Sequence, residues 1–442
     1  MTRSDPKTKA AGRRAFLATT VGMGAMAITG DGVAGVLGAN ERINVGVLGL
    51  GSRGGTLIGW IQKLAAAHNL RVSAVADIWE RRRVSAAQRI AGETGKAPAQ
   101  CRTAAELFDR KDVDVVLIAT PDFQHAAQAT QAVLAGKDVY CEKPFGCHHD
   151  EVLQAYEIIR ASDRVFCLGV QARGMDKYLA AAEFVQSGKL GQLQYVEISE
   201  PIFQQRWRIP GSEASPRPDE IDWREFLGSL PAERHPFDAR AFREFRLFWP
   251  YSSGPFCQWM SQRIDLVNLV IGAAPTAAVA LGGVYLWKDG RTNPDVVQCL
   301  LEYPGGPLCS YHLRMGNSAG GKGITLYGSA GTLDLEAGMA YGDGGGGLVT
   351  PSETKSGAAQ FVVDQSRVLK SRREGGVSLG GKESVDYLAH FFGAVRSRST
   401  VRGDIHAAKA QADACILANY AYRIGARTRL GPDGKITPTP EV

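Results

Sequence analysis

Several absences narrow the reading of this 442-residue chain before any motif is considered. Beyond the N-terminal segment there is no run of about 18 or more apolar residues, so no membrane span is expected in the mature protein. Neither sign of charge dominates, with 51 basic and 45 acidic residues. The formal net charge is +6, and residues 1–39, with five basic and two acidic residues, account for +3 of it. What remains is no nucleic-acid footprint. The eight cysteines, at 101, 141, 147, 167, 257, 299, 309 and 415, include no C-x-x-C pair. They sit mostly among apolar residues, as buried small hydrophobes do, and no metal site is expected. Free core thiols are the simpler reading, and spacing gives no connectivity for a disulfide. No internal repeat is present.

What is there is organised around residues 43–54. An apolar run (Ile43, Val45, Val47, Leu48) stops at Gly49, and Gly49, Gly51 and Gly54 follow in G-x-G-x-x-G spacing before a helix-like segment. Strand, glycine turn and helix are the context that a dinucleotide-binding loop requires. Gly49 permits the turn, Gly51 lets backbone approach a pyrophosphate, and Gly54 lets the helix pack on the strand. The loop Gly49, Leu50, Gly51, Ser52, Arg53, Gly54 is therefore the expected cofactor cradle. A second strand ends at Asp77, where a carboxylate accepts the ribose hydroxyls of NAD and repels a 2′-phosphate. Arg81, Arg82 and Arg83 follow; they favour NADP or form a solvated helix face.

The 44% apolar fraction suits a globular chain with room for two or three domains. Residues 1–39 resemble a twin-arginine export signal around Arg13-Arg14, with Gly12 where a hydroxyl residue is usual, and are excluded from the fold. Residues 40–160 alternate strand and helix patterns, which predicts a doubly wound parallel sheet. Its strands include 113–120, which leads into Pro121-Asp122-Phe123-Gln124-His125, and 138–141, which delivers Glu142-Lys143-Pro144. Residues 161–430 read as an α+β domain with a large, mostly antiparallel open sheet. Its expected strands are 193–199, 278–288, 295–303, 307–314 and 322–328, with an apolar helix at 255–272. The glycine-rich stretch 341–381 reads as an exposed insertion, and 384–425 as helical.

Taken in order, the glycine loop, Ala119-Thr120-Pro121-Asp122 with His125, Glu142-Lys143-Pro144, Gly169-Val170-Gln171-Ala172-Arg173, Asp222-Trp223-Arg224-Glu225-Phe226-Leu227-Gly228 and Gly328-Ser329-Ala330-Gly331-Thr332-Leu333 resemble the glucose–fructose oxidoreductase / inositol dehydrogenase / MocA family, in its exported bacterial branch. The resemblance covers about 41–430. It implies hydride transfer between bound NAD or NADP and a hydroxyl carbon of a sugar, polyol or glycoside, and homo-oligomer formation through the open sheet of the second domain. It also implies Lys143 as the catalytic lysine and a substrate contact, Glu142 at the nicotinamide end of the cofactor, and Thr120, Pro121 and His125 lining the cofactor cleft, with Arg173 on the substrate. His125 has a structural reading of nearly equal weight.

The chain departs from the family in one place. A helix of the family carries an acid and a histidine four residues apart, facing the substrate hydroxyl. Here Gln258 and Gln262 occupy those positions. An amide binds a hydroxyl but exchanges no proton at neutral pH, so both glutamines are expected to bind substrate. Lys143 is then the one motif-supported proton carrier, with Tyr251, His235 and His312 as weaker candidates. Asp265 reads as structural. Two other functions compete with the oxidoreductase: a redox-neutral glycosidase or lyase that recycles one bound cofactor, and a binding protein without turnover.

Overall fold

The computed structural model describes residues 41–439 apart from 206, 210–214, 343–348, 354–358, 364–368, 370–371 and 381–383. The expected export signal with Arg13 and Arg14, and much of the expected insertion at 341–381, lie outside the described residues. Among the described residues no helix is long and apolar enough to cross a membrane.

The N-terminal half alternates β1 (Ile43–Leu48), α1 (Ser52–His68), β2 (Leu70–Ala76), α2 (Glu80–Thr94), β3 (Ala99–Cys101), α3 (Ala104–Phe108), β4 (Val115–Ile118), α4 (His125–Leu134), β5 (Asp138–Glu142), α5 (His149–Arg160) and β6 (Phe166–Gly169). The strands form one parallel sheet in the order β3-β2-β1-β4-β5-β6. Their near-continuous apolar sequences reflect helices on both faces: Val45, Val47, Val75, Val116 and Leu117 are wholly buried. Strand order reverses between β1 and β4, which opens the crevice where ligands of such sheets bind. The sheet runs on through β6, past the expected boundary at residue 160.

The chain then forms α6 (Asp176–Gln186), β7 (Leu193–Pro201), the short helices α7 (Trp223–Leu227) and α8 (Ala239–Arg243), and α9 (Ser261–Ile271). β8 (Ala277–Gly283), β9 (Val296–Glu302), β10 (Leu308–Arg314), β11 (Gly323–Gly328), β12 (Gly331–Asp334) and β13 (Met339–Tyr341) follow. After them come the hairpin β14 (Val349–Glu353) and β15 (Ala359–Val363), then β16 (Val377–Ser378), α10 (Tyr387–Ser397), α11 (Ile405–Ile424), β17 (Thr428–Leu430) and β18 (Ile436–Pro438). A ten-stranded sheet has the order β16-β13-β12-β11-β7-β10-β9-β8-β17-β18; β7 and β10 pair in parallel, and the other pairs are antiparallel.

Two expected elements come out differently. The strand expected at 278–288 stops at Gly283, because the Asp295 carboxylate accepts the amides of Tyr285, Leu286 and Trp287 (2.9, 2.9 and 2.7 Å) and curls the chain away from the sheet. The described parts of 341–381 contain paired strands, and β16 extends the edge of the large sheet.

One helix ties the halves together. On α11, Ile405, Ala408, Ala412 and Ile416 belong to the core beneath the parallel sheet, whereas Ala414, Cys415, Leu417, Ala418 and Ala421 belong to the core of the second domain. Alanine on both faces lets two layers approach one helix closely, so the two walls of the crevice share a rigid support.

Candidate active site

The glycine loop shows a division of labour. Gly49 has φ +85°, a left-handed backbone that glycine tolerates. A Cβ there would lie 2.8 Å from the Ala119 backbone, and one on Gly54 would lie 1.9 Å from the Gly49 carbonyl oxygen. Both glycines are demanded by the fold itself. Gly51 is different: a Cβ there would meet no protein atom nearer than 3.8 Å, at the Arg82 guanidinium. It faces open cleft, so its lack of a side chain serves something other than packing. Gly51 is also the N-cap of α1, where no side chain caps the free amides and the first turn holds no acid. Uncapped amides at the start of a 17-residue helix are an anion site. This cradle fits a dinucleotide pyrophosphate.

Asp77 is buried, and its carboxylate accepts the amides of Leu50 (2.7 Å) and Trp79 (2.9 Å). It thus holds the loop in shape while lining the cleft. The three following arginines separate. Arg83 is buried and donates to the Asp77 carbonyl at 2.6 Å, so it is neither solvated nor free for a phosphate. Arg82 lies over Trp79 and Phe242, 4.0 Å from the Asp77 carboxylate, and lines the cleft. Arg81 packs over Trp79.

Thr120 and Pro121, at the carboxyl end of β4, line the same cleft, and Thr120 donates to Gln128 at 2.6 Å. His125 does not line it. It is buried, with one ring nitrogen 2.6 Å from the Pro144 carbonyl and the other 2.8 Å from that of Thr120, so it clamps two loops of the site together. Glu142 is also buried. It pairs with Arg53 at 2.7 Å and accepts from Gln171, which links the glycine loop to the end of β5. Gly169 leaves it room: a Cβ there would stand 3.0 Å from the Glu142 carboxylate.

Lys143 follows Glu142 and precedes a cis peptide bond to Pro144. Its ammonium donates to the backbone carbonyl of Gln258 at 3.0 Å, across from the second domain. Burial pushes its pKa below the ordinary lysine value; Asp122 and Glu142 oppose the shift, while Arg246 and Arg53 add to it.

The second-domain residues expected to hold substrate are arranged otherwise. Phe256–Met260 form a π-helical turn ahead of α9. Gln258 lies within this turn and Gln262 in the first turn of α9. Gln262 is exposed, but Gln258 is buried. The Gln258 amide donates to both carboxylate oxygens of Asp122, at 2.6 and 2.5 Å, and Ser252 donates to the same carboxylate at 2.6 Å. Gln258 is thus committed to the protein. Arg173 is likewise withdrawn from the cleft: it is buried against Asp265, with Nε to Oδ2 at 2.8 Å and Nη2 to Oδ1 at 2.9 Å. Gln258 serves the contact with the Rossmann loop, and Arg173 is tied up with Asp265 inside the second domain. Tyr251 and His235 meet at 3.3 Å within an aromatic cluster, and His312 pairs with Ser199 on the large sheet.

Sequence reasoning missed two features. One is Asp122, a carboxylate buried between the domains and visible only as an acid after Pro121. The other is the wall made by Ile209, Phe242, Arg243, Phe245 and Arg246, which faces the glycine loop across the cleft. Arg246 stacks over Phe245, and burial lowers its pKa against the pull of Asp122. No spacing signal marks that segment.

Residues 43–170 match the family model described as an oxidoreductase family with an NAD-binding Rossmann fold. The Rossmann domain belongs to the glucose–fructose oxidoreductase / inositol dehydrogenase / MocA family. Curated relatives include a glycosyl hydrolase family 109 protein of Shewanella amazonensis, 30% identical over 175 residues (38% of this chain, 37% of that protein). An inositol 2-dehydrogenase of Rhizobium meliloti is 28% identical over 159 residues (36% and 44%). The matches thus span about two fifths of those relatives' length. Among solved structures, the Bordetella pertussis WlbA dehydrogenase in complex with NADH and UDP-GlcNAcA aligns over 88% of this chain and 99% of its own, with TM-score 0.60 and 15% identity. An apo scyllo-inositol dehydrogenase of Lactobacillus casei aligns over 88% and 98%, with TM-score 0.58 and 16% identity. The family's two-domain fold therefore extends through the second domain, and NAD is the cofactor of its Rossmann half.

Proposed function

We propose that this protein is an NAD-dependent oxidoreductase that moves hydride between the bound nicotinamide and a hydroxyl carbon of a sugar, polyol or glycoside. The observation that carries the reading is Lys143: a partly buried side chain at the mouth of β5 whose ammonium bonds the opposite domain and whose pKa is lowered by desolvation. When bound, the nicotinamide supplies the hydride acceptor. Lys143 binds the reacting hydroxyl oxygen and, in its neutral form, takes the proton. Asp122 holds Gln258, and so fixes the carbonyl to which Lys143 is anchored. The inositol dehydrogenase among the relatives supports a polyol or sugar substrate.

A second reading keeps the site and changes the outcome. Glycosyl hydrolase family 109 proteins among the relatives favour a redox-neutral cleavage in which one cofactor is reduced and reoxidised in place. Export would suit such recycling, since free nicotinamide is not expected outside the cytoplasm. If residues 1–39 direct export, Arg13→Lys with Arg14→Lys leaves folded protein in the cytoplasm; normal export of that variant removes the argument. The exposed apolar residues Val279, Leu281, Leu308 and Tyr327 on β8, β10 and β11 support self-association through the large sheet.

The test is to extract the nucleotide from native protein and then screen sugars, polyols and glycosides. Bound NAD(H) and reduced nicotinamide with one substrate class are the expected result. Glycoside cleavage without net change in the nicotinamide selects the second reading. Protein that neither contains nor binds a nicotinamide nucleotide overturns both.

A further inference from the structure

The eight cysteines of the described chain are all buried thiols, yet two of them touch. Cys147 Sγ and Cys257 Sγ lie 3.2 Å apart. They come from different domains, 110 positions apart in sequence. Cys147 closes the loop that leaves β5 through Lys143 and Pro144. Cys257 sits in the π-helical turn, directly before Gln258. We propose that Cys147 and Cys257 form an interdomain disulfide that fixes the lysine loop to the turn that anchors it.

The two sulfurs lie 3.2 Å apart; a disulfide needs them at about 2.05 Å, so they must close by roughly 1.1 Å. The surroundings are held from both sides. The Ser253 hydroxyl accepts the Cys257 amide at 3.1 Å, and the Lys143 ammonium bonds the neighbouring Gln258 carbonyl. The sulfurs therefore meet between two already docked segments, and the cross-link holds a contact the fold makes anyway.

The chemistry balances with a disulfide oxidant. Each cysteine gives up one proton and one electron, an S–S bond forms, and a small-molecule disulfide such as oxidised glutathione is cleaved to two thiols. Burial pushes the Cys147 thiol well up, so reactive thiolate is scarce in the closed protein. Exchange is therefore slow, and it proceeds when the interdomain contact opens. An oxidising compartment, the destination proposed above, is where such a bond persists. The inference does not depend on the catalytic reading, because its readout is covalent.

The full-length protein is incubated with oxidised glutathione, denatured, alkylated, digested with trypsin and weighed. The expected product joins peptide 138–160, which contains Cys147, to peptide 247–263, which contains Cys257, with loss of two hydrogens. Six thiols alkylate instead of eight. Oxidation should raise the melting temperature by about 5 °C, given the long loop closed and the size of the chain, and dithiothreitol should reverse the rise. Cys257→Ser and, independently, Cys147→Ala should abolish both the linked peptide and the shift. Cys141→Ala, which removes the other thiol of the first peptide, should leave both intact. Eight alkylated thiols after prolonged oxidation, or a link that survives in Cys147→Ala, overturns the proposal.

Discussion

The two walls of the cleft obey different rules. The Rossmann wall is built from backbone: glycines, strand ends and helix amides, with side chains such as Asp77 and His125 holding loops in shape. The wall opposite is built from side chains on short helices and a π-helical turn, and its polar groups are paired, Gln258 with Asp122 across the domain boundary and Arg173 with Asp265 within the second domain. A backbone wall tolerates little change in fold and carries its meaning in glycine spacing. A side-chain wall can be rewired by a few substitutions while the fold stays. Here the rewiring joins Gln258 to Asp122, so that a carboxylate from the Rossmann loop, rather than from the helix, is buried beside Lys143.

The strongest way to break this contrast is at Lys143, the residue that belongs to one wall and bonds the other. Lys143→Ala should lower kcat by on the order of a thousandfold while the extracted nicotinamide content stays at the wild-type level. The pH dependence has a definite sign. Burial lowers the folded-state pKa of Lys143 below its unfolded value, so the unfolded chain binds this proton more tightly. That group therefore costs stability in full below its lowered folded pKa, and the cost is relieved as pH rises from there to the unfolded value. For the same reason kcat/KM should rise with pH through a pKa below the usual lysine range. Substantial turnover by Lys143→Ala removes the mechanism.

The next effect separates two glycines of one motif. Gly54→Ala places a methyl group against the Gly49 carbonyl and should destabilise the protein by about 3 kcal/mol, seen as a lower unfolding midpoint. Gly51→Val brings its Cβ no closer than 3.8 Å to a protein atom, an ordinary contact with Arg82, so it should fold normally and lose nicotinamide. Equal cofactor content in Gly51→Val and wild type would show that the cradle holds something else.

How much was legible in the sequence follows the same division. Strand, turn and helix around 43–54 were readable because backbone demands at Gly49 and Gly54 are local and steric. The lysine after Glu142 was readable through the family's motif. What was not readable depends on distance in space. His125 and Glu142 stand in motif positions, but each is used up by partners from another loop: Pro144 and Thr120 for the histidine, Arg53 and Gln171 for the glutamate. Spacing alone placed Gln258 and Gln262 on one helical face, yet Gln258 is buried against Asp122 and Gln262 is exposed. Arg173 looked like a site residue through the family resemblance, yet Asp265, 92 positions away, claims it. The wall at Phe242 to Arg246 carries no periodic signal, because its helices are five and three residues long.

A smaller effect probes the rewired pair. Gln258→Ala leaves the buried Asp122 carboxylate with Ser252 as its remaining hydrogen-bond donor and should cost about 1–3 kcal/mol, read by thermal or denaturant unfolding. Gln258→Glu sharpens the point. Two carboxylates then face each other, so the folded state raises their pKa and holds a proton more tightly than the unfolded chain. The variant's deficit should accordingly be small in acid and grow as pH rises above about 4. A deficit that is flat with pH would mean that the introduced carboxylate has turned away from Asp122.

The smallest effect is expected at Gln262, and it decides whether the second-domain wall touches substrate at all. Gln262 is exposed on α9, and its side chain makes no hydrogen bond among the described residues. Its removal should therefore leave the melting temperature unchanged, unlike the removal of Gln258. If its amide binds a substrate hydroxyl, Gln262→Ala loses one neutral hydrogen bond, worth about 1 kcal/mol. KM should then rise roughly fivefold with kcat unchanged, the signature of binding shared equally by ground and transition states. No change in either constant would assign substrate binding to the Phe242–Arg246 wall instead. A loss in kcat on the order of a thousandfold with KM unchanged would show that a residue unable to exchange a proton at neutral pH nonetheless acts in the transition state, and Lys143 would no longer suffice as the site's proton carrier.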